Sequence, residues 1–182
     1  MENKNYFVIT TNVDHRFYAS GFDPQRIFAV QGDYSKIQCA QGCHDRLYND
    51  EATIRRMAAE QKNCRVPASL VPKCPVCGGD MEINIRKDDR FVQDAAWYAA
   101  AARYEAFVGQ ADGRKVLLIE LGVGCNTPSI IRFPFERMTY RNKSATLVRV
   151  NKRFPRSDRG KRRAHAVFRR HRQVCGRAYA VR

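Results

Sequence analysis

No run in this 182-residue chain approaches the ~18–20 consecutive apolar residues of a membrane span, so no membrane partner is expected. A signal peptide is also missing, because Met1 to Asn5 is polar and a strand-like run follows at once. No internal repeat is present. The seven cysteines are odd in number and gathered in close pairs, a poor fit to a secreted disulfide scaffold and a better one to a reducing compartment. Acidic residues are scarce in one region only. Residues 151–182 carry 12 Lys/Arg against Asp158, a net of +11, while residues 1–150 carry 21 Lys/Arg against 17 Asp/Glu, a net of +4. The overall +15 is therefore a property of the tail, and the body gives no nucleic-acid signal. With 44% hydrophobic residues the length suffices for one sizeable core, or one core and a small satellite module. A soluble, cytoplasmic protein is expected.

What is present is concentrated between Cys39 and Cys77. Cys39 and Cys43 stand close together with His44 beside them, and Cys74-Pro75-Val76-Cys77-Gly78-Gly79 follows about thirty residues later. Two short turns, each offering two thiolates to one face of an ion, make a tetrahedral zinc site. Pro75 fixes the second turn, and Gly78-Gly79 can take positive φ so that backbone N–H groups point at sulfur. The expected ligands are Cys39, Cys43, Cys74 and Cys77, with disulfides or free buried thiols as alternatives. With four protein ligands no position is open, so the metal would hold structure. His44 could replace Cys43, although a supporting or surface place suits it better. Cys64 reads as a small residue near a helix end and Cys125 as a small loop residue. Cys175, His165 and His171 lack metal-ligand grouping.

The remainder alternates strands and helices. Tyr6–Thr10 and Arg26–Val30 read as short strands, the second broken by Gly32, with a helical turn over His15–Ser20 between them. Asp50 can cap a helix with Ile54, Met57 and Ala58 on a narrow apolar face, and Met81–Ile85 alternates as a half-exposed strand. A strong helix starts from Asp94. Lys115–Leu121 is the best candidate for a central strand; Thr127 and Pro128 can open a helix that Pro134 should kink or end, with Phe135 and Met138 beginning a second one; Ala145–Val150 is a last strand. This order argues for an α/β fold, a partial Rossmann-like parallel sheet with an inserted zinc-ribbon module. The expected division is residues 1–32 and 90–151 as the sheet domain, 33–89 as the zinc-binding module, and 152–182 as a basic tail, disordered or helical. In such sheets ligands sit at the carboxyl ends of strands, here Asn12 with Asp14, the Gly122–Thr127 loop, and Asn151. Gly122 and Gly124 let backbone approach a phosphate or ribose. Each alone equally suits a solvated turn, and it is their recurrence at three strand ends that points to a site.

Taken in order, these pieces resemble a family. Thr10-Thr11-Asn12-Val13-Asp14, Gly32 before a cysteine pair, Cys74-Pro75-Val76-Cys77-Gly78-Gly79, Glu120-Leu121-Gly122-Val123-Gly124 and Val150-Asn151 follow the motif order of the sirtuins over residues 6–151. Sirtuins are zinc-containing, NAD-dependent protein deacylases and ADP-ribosyltransferases. Asn12-Val13-Asp14-His15, Gln31-Gly32-Asp33-Tyr34 and Leu121-Gly122-Val123-Gly124 are most similar to the macrodomain-linked microbial members. The resemblance implies that Thr11, Asn12 and Asp14 contact the nicotinamide-ribose end of NAD, that Gly122 and Gly124 lie beside adenosine, and that Asn151 lies near the adenine ribose.

Two departures shape the expectation. Deacylating members carry a histidine where Gln31 stands, and an amide can orient a hydroxyl but cannot act as a general base. ADP-ribose transfer to a protein nucleophile, with Asn12, Asp14 and Gln31 as the catalytic set, therefore fits better than deacylation. In the macrodomain-linked group the acceptor resembles a lipoyl-carrier protein, and a macrodomain protein is a further partner. The family's opening strand, Gly-Ala-Gly phosphate loop and Asp-Phe-Arg segment have no counterpart, so the chain reads as a truncated transferase with weak NAD binding by itself. The tail's Lys161-Arg162-Arg163 and Arg169-Arg170-His171-Arg172 suggest the rival reading, a non-catalytic zinc-ribbon protein whose Arg-rich tail binds nucleic acid.

Overall fold

The computed structural model describes residues 4–151, together with the backbone of two short strands in the basic segment, Ala164–Val167 and Tyr179–Ala180. The chain divides into two units, Met1–Glu105 and Ala106–Arg182.

In the first unit, β1 (Val8–Thr10) pairs in parallel with β2 (Ile27–Ala29), and α1 (Arg16–Ala19) lies between them in sequence. β3 (Gly32–Cys39) then pairs antiparallel with β4 (Tyr48–Asn49) on one side and β5 (Met81–Ile85) on the other. α2 (Glu51–Glu60) falls between β4 and β5, and α3 (Ala95–Gln110) follows β5. The aromatic residues explain how α3 is held. Phe28 meets the Trp97 ring edge-on at 5.0 Å, Phe7 lies 5.6 Å from Tyr104, and Trp97 Nε1 donates to the Val30 carbonyl at 3.2 Å. Asp94 caps the helix by accepting from the Trp97 N–H at 2.8 Å.

A buried amide pair locks β3 to β5. Asn84 Nδ2 donates to Gln38 Oε1 at 2.8 Å and to the Val92 carbonyl at 3.1 Å, while Gln38 Oε1 also accepts from the Val92 N–H. Buried amides persist only when satisfied in this way, so these bonds also fix the 90–92 segment. Gly32, expected to break the second strand, follows the end of β2 at Ala29 and also begins β3. Its φ is +106°, and a Cβ there would sit 2.1 Å from the Asn84 carbonyl oxygen. Gly32→Ala should therefore destabilise the first unit by about 2 kcal/mol or more, read as a lowered urea midpoint.

In the second unit, β6 (Val116–Leu121) pairs in parallel with β7 (Ala145–Val150), β7 with β8 (Ala164–Val167), and β9 (Tyr179–Ala180) joins antiparallel. α4 (Arg132–Arg141) packs on β6 and β7, and Ile131, Phe135, Leu118 and Leu147 are all buried in this unit. Inside lies a charged cluster. Arg149 donates to Glu120 at 2.8 Å and to Glu136 at 2.9 Å, and Arg132 lies 3.6 Å from Glu136, all of them buried.

Several expectations need correction. The fold is mixed α/β, and among the described residues its parallel pairing lies in two small sheets, β1–β2 and β6–β7–β8. Lys115–Leu121 suits a central strand by sequence, yet among the described residues β6 is the edge of its sheet, with Leu117, Ile119 and Leu121 exposed. Pro134 does not break α4; it is the third residue of the helix, where no intrahelical N–H donor is needed. The helix also starts four residues after Pro128, and Thr127 closes a turn with Ile130 instead of capping. Ile54 in α2 is half exposed and the helix buries no residue. The basic segment, expected to be disordered or helical, contributes β8 and β9; Lys161-Arg162-Arg163, Arg169-Arg170-His171-Arg172 and the rest of it lie outside the described residues.

Candidate functional site

β3 delivers Cys39 at its end, and the turn that follows presents Cys43, with Gly42 at φ +61° and its N–H donating to the Cys39 carbonyl. The second turn is closed by the Gly78 N–H donating to the Cys74 carbonyl at 2.8 Å, and Gly78 takes φ +72°. Antiparallel pairing of β3 with β5 places Cys39 opposite Met81, and the Ala40 N–H donates to the Asp80 carbonyl at 2.9 Å. The two turns are thereby stapled side by side. All four sulfurs fall within 4.8 Å of one another, with Cys39 to Cys77 and Cys43 to Cys74 each at 3.6 Å. A tetrahedron with metal–sulfur bonds of about 2.3 Å has edges of about 3.8 Å, so the quartet fits one tetrahedral ion. The four cysteines can hold a metal ion.

Backbone N–H groups prepare the sulfurs for that role. The Cys43 N–H at Cys39 brings its thiol down to about 6, and the Cys77 N–H likewise lowers Cys74. Cys43 moves the other way, raised by desolvation and by the sulfurs crowded around it. His44 stands just outside the quartet. Its Nδ1 lies 3.0 Å from the Cys43 sulfur and its Nε2 lies 2.9 Å from the Tyr48 hydroxyl, which fixes the ring. Cys64 and Cys125 are exposed, Cys64 in a tight turn where Asn63 and Cys64 both have positive φ.

These pKa directions predict proton release on metal uptake. At pH 7 Cys39 is mostly thiolate and Cys43 is a thiol, so loading must expel at least the Cys43 proton but fewer than four protons. Titration calorimetry in buffers of different ionisation enthalpy should count them. Affinity should weaken as pH falls through about 6, where Cys39 takes up its proton.

A second site in the same unit is an open cleft at the carboxyl ends of β1 and β2. Thr10, Asn12, Asp14, His15, Phe17, Tyr18, Ala29, Gly32 and Asp33 line it. Two expected residues, Asn12 and Asp14, are thus brought together, both exposed. The Asn12 N–H donates to Thr10 Oγ1, and Asp14 Oδ1 accepts from the Arg16 N–H, so the turn carrying them is braced. Thr11 is half buried beside them. Gln31 precedes the cleft-lining Gly32; its carbonyl accepts from the Arg86 N–H at 3.0 Å, and it is not among the lining residues.

In the second unit, Gly122, Gly124 and Asn151 come together at the ends of β6 and β7. The Gly122 N–H donates to the Val150 carbonyl at 2.8 Å, and Asn151 Nδ2 donates to the Val123 carbonyl at 2.7 Å. Gly122 needs glycine for its φ of +67°. Gly124 needs it neither for φ nor for packing, since a Cβ would meet nothing within 4 Å. Open backbone at a strand end is what close ligand approach requires.

Residue patterns missed one feature of the cleft. His15 Nδ1 lies 2.9 and 2.8 Å from the two carboxylate oxygens of Asp33, and the His15 ring stacks on Tyr18 at 4.7 Å. Eighteen positions separate the pair, and no spacing rule joins them.

No membrane-length apolar helix occurs among the described residues. No family model matches the chain. Among curated proteins, a protein ADP-ribosyltransferase of Staphylococcus aureus is 40% identical over 154 residues, which is 84% of this chain and 49% of that protein. A probable bifunctional ADP-ribose hydrolase/ADP-ribosyltransferase of Fusarium oxysporum f. sp. cubense is 31% identical over 153 residues, 79% of this chain and 25% of that protein. The chain thus spans about half the length of the first relative and a quarter of the second. Over most of its own length it is similar to proteins named for ADP-ribosyl transfer.

Proposed function

We propose that this chain belongs to an NAD-dependent protein ADP-ribosyltransferase of the sirtuin type, in which four cysteines hold a structural zinc ion. The convergence of Asn12 and Asp14 on one cleft carries this reading, and the similarity to a named ADP-ribosyltransferase supports it. Zinc is the ion that a closed set of four thiolates suits best. It would organise the β3–β5 module and take no part in bond making.

NAD is the substrate and supplies the ADP-ribose. Asn12 and Asp14, together with Thr11, hold the nicotinamide-ribose end; Asn12 offers both an amide donor and an acceptor, and Asp14 a carboxylate for ribose hydroxyls. Gln31 orients by hydrogen bonding and takes up no proton, so transfer is favoured over lysine deacylation. The Gly122–Gly124 turn with Asn151 has the open backbone that an adenosine group needs. The acceptor is a protein nucleophile, on a lipoyl-carrier-like protein by resemblance, with a macrodomain protein as a further partner in the cytoplasm.

Calorimetry with NAD tests this reading. Saturable binding that Asn12→Ala weakens by about 10-fold or more supports it, on the scale of one lost hydrogen-bonding group. No NAD binding, together with DNA binding that falls steeply with salt and vanishes when the chain is cut at Lys152, would instead establish the rival reading of a zinc-ribbon protein with a nucleic-acid-binding tail.

A further inference from the structure

Gln31 leaves a gap in the proposed chemistry. A protein nucleophile that attacks the ribose must lose a proton, and an amide cannot take it. The cleft itself contains a group that can.

His15 and Asp33 both line the cleft that holds Asn12 and Asp14. Asp33 sits in β3 next to Gly32, and its Oδ1 also accepts from the Ser35 N–H at 2.8 Å, which sets the orientation of the carboxylate. Both of its oxygens face His15 Nδ1. A carboxylate only accepts, so the neutral imidazole must carry its hydrogen on Nδ1, leaving the Nε2 lone pair as the basic atom. Nε2 has no hydrogen-bond partner among the described residues. The Tyr18 ring, stacked at 4.7 Å and 19° from parallel, restrains the imidazole plane. His15 side-chain exposure is 40%, so Nε2 can be reached from solvent while Asp33, at 17%, stays largely covered.

The backbone points the same way. His15 has φ +58°, left-handed for a residue with a Cβ. The other two non-glycine residues with positive φ among the described residues, Asn63 and Cys64, form a tight turn that demands it. His15 begins only a four-residue helix, where glycine would serve with less strain.

We propose that His15, oriented by Asp33, is the proton acceptor for the incoming nucleophile in ADP-ribosyl transfer. The proposal rests on the reading of the chain as an NAD-dependent transferase. The C1′–N bond of NAD breaks, and its electron pair passes to the ring nitrogen of departing nicotinamide. A lone pair on the acceptor forms the new bond to C1′, and the acceptor's proton moves to His15 Nε2 and then to solvent. Asp33 is a positioning residue; it keeps its charge and gains no proton.

Two reactions of the whole chain with NAD separate the roles. Exchange of labelled free nicotinamide into NAD breaks and remakes the C1′–N bond without moving a proton. Net nicotinamide release with water as acceptor requires one to be removed. In His15→Gln and His15→Gly net release should fall by about 100-fold, the low end of general-base effects, and by at least about 10-fold more than exchange falls. Added imidazole should restore release in His15→Gly, which a merely structural histidine would not allow. Nitrogen NMR of the histidine rings, without NAD, should show His15 protonated on Nδ1, and Asp33→Asn should erase that preference. Unchanged net release in His15→Gln beside normal exchange would overturn the proposal, as would an Nε2-protonated ring. Absence of both reactions in the unaltered chain would remove the transferase reading itself, and the proposal with it.

Discussion

Chelating an ion held by the four cysteines should remove on the order of 10 kcal/mol of apparent folding free energy from the cysteine-bearing module. The size follows from how little else holds the module. Cys39 and Cys74 are among its few fully buried side chains, α2 buries none, and Val71 and Val76 are exposed. Beyond the β3–β5 ladder and the Gln38–Asn84 lock, the two turns are joined by the Ala40 to Asp80 hydrogen bond and the four sulfurs. Cys74→Ser should act in the same direction, cutting bound metal well below one ion per chain and collapsing hydrogen-exchange protection of β3 and β5. Cys64→Ser and Cys125→Ser, both at exposed positions, should change stability by less than about 0.5 kcal/mol. Equal effects at all cysteines would point to disulfides or general thiol chemistry instead.

Arg149→Met should destabilise the second unit by about 3–5 kcal/mol, because it leaves the carboxylates of Glu120 and Glu136 buried without their shared partner. The cost comes from stranded charge, not from lost volume, and this can be checked. Adding Glu120→Leu to Arg149→Met should recover part of the loss, since Glu136 keeps Arg132 at 3.6 Å while the other buried carboxylate is gone. Urea titration of the four members of this cycle gives the coupling directly. Purely additive losses would mean that Arg149 and Glu120 do not act together.

The two cysteine turns could be read from the sequence because their information is local, whereas β3, which delivers Cys39, and β4 could not. Two pairs with short spacing, plus glycines that can take positive φ, specify two turns, and Gly78 at φ +72° does what its place required. The fold around them was harder to read. Val8–Thr10 and Ile27–Ala29 were recognisable as strands, but their pairing partners depend on contacts distant in sequence, and the apolar run Val116–Leu121 looks alike at the edge or the centre of a sheet. Gly32 could be seen to follow the end of a strand, but not that it opens β3, where its need for glycine arises from Asn84, fifty-two positions away. Asn12 and Asp14 could be found from their place after a strand, whereas the His15–Asp33 pair exists only once β3 folds back beside the turn after β1. Pro134 shows the opposite case. A breaker in mid-pattern was harmless because the helix begins two residues before it.

Transfer of ADP-ribose is the property on which the functional reading stands. The most direct measurement is intact-protein mass spectrometry of a lipoyl-carrier protein after incubation with NAD and this chain, with the Asn12→Ala variant in parallel. A mass gain of one ADP-ribose unit with the unaltered chain, at least 10-fold reduced with Asn12→Ala, is the expected result. An unmodified carrier, with NAD neither bound nor consumed, would contradict it.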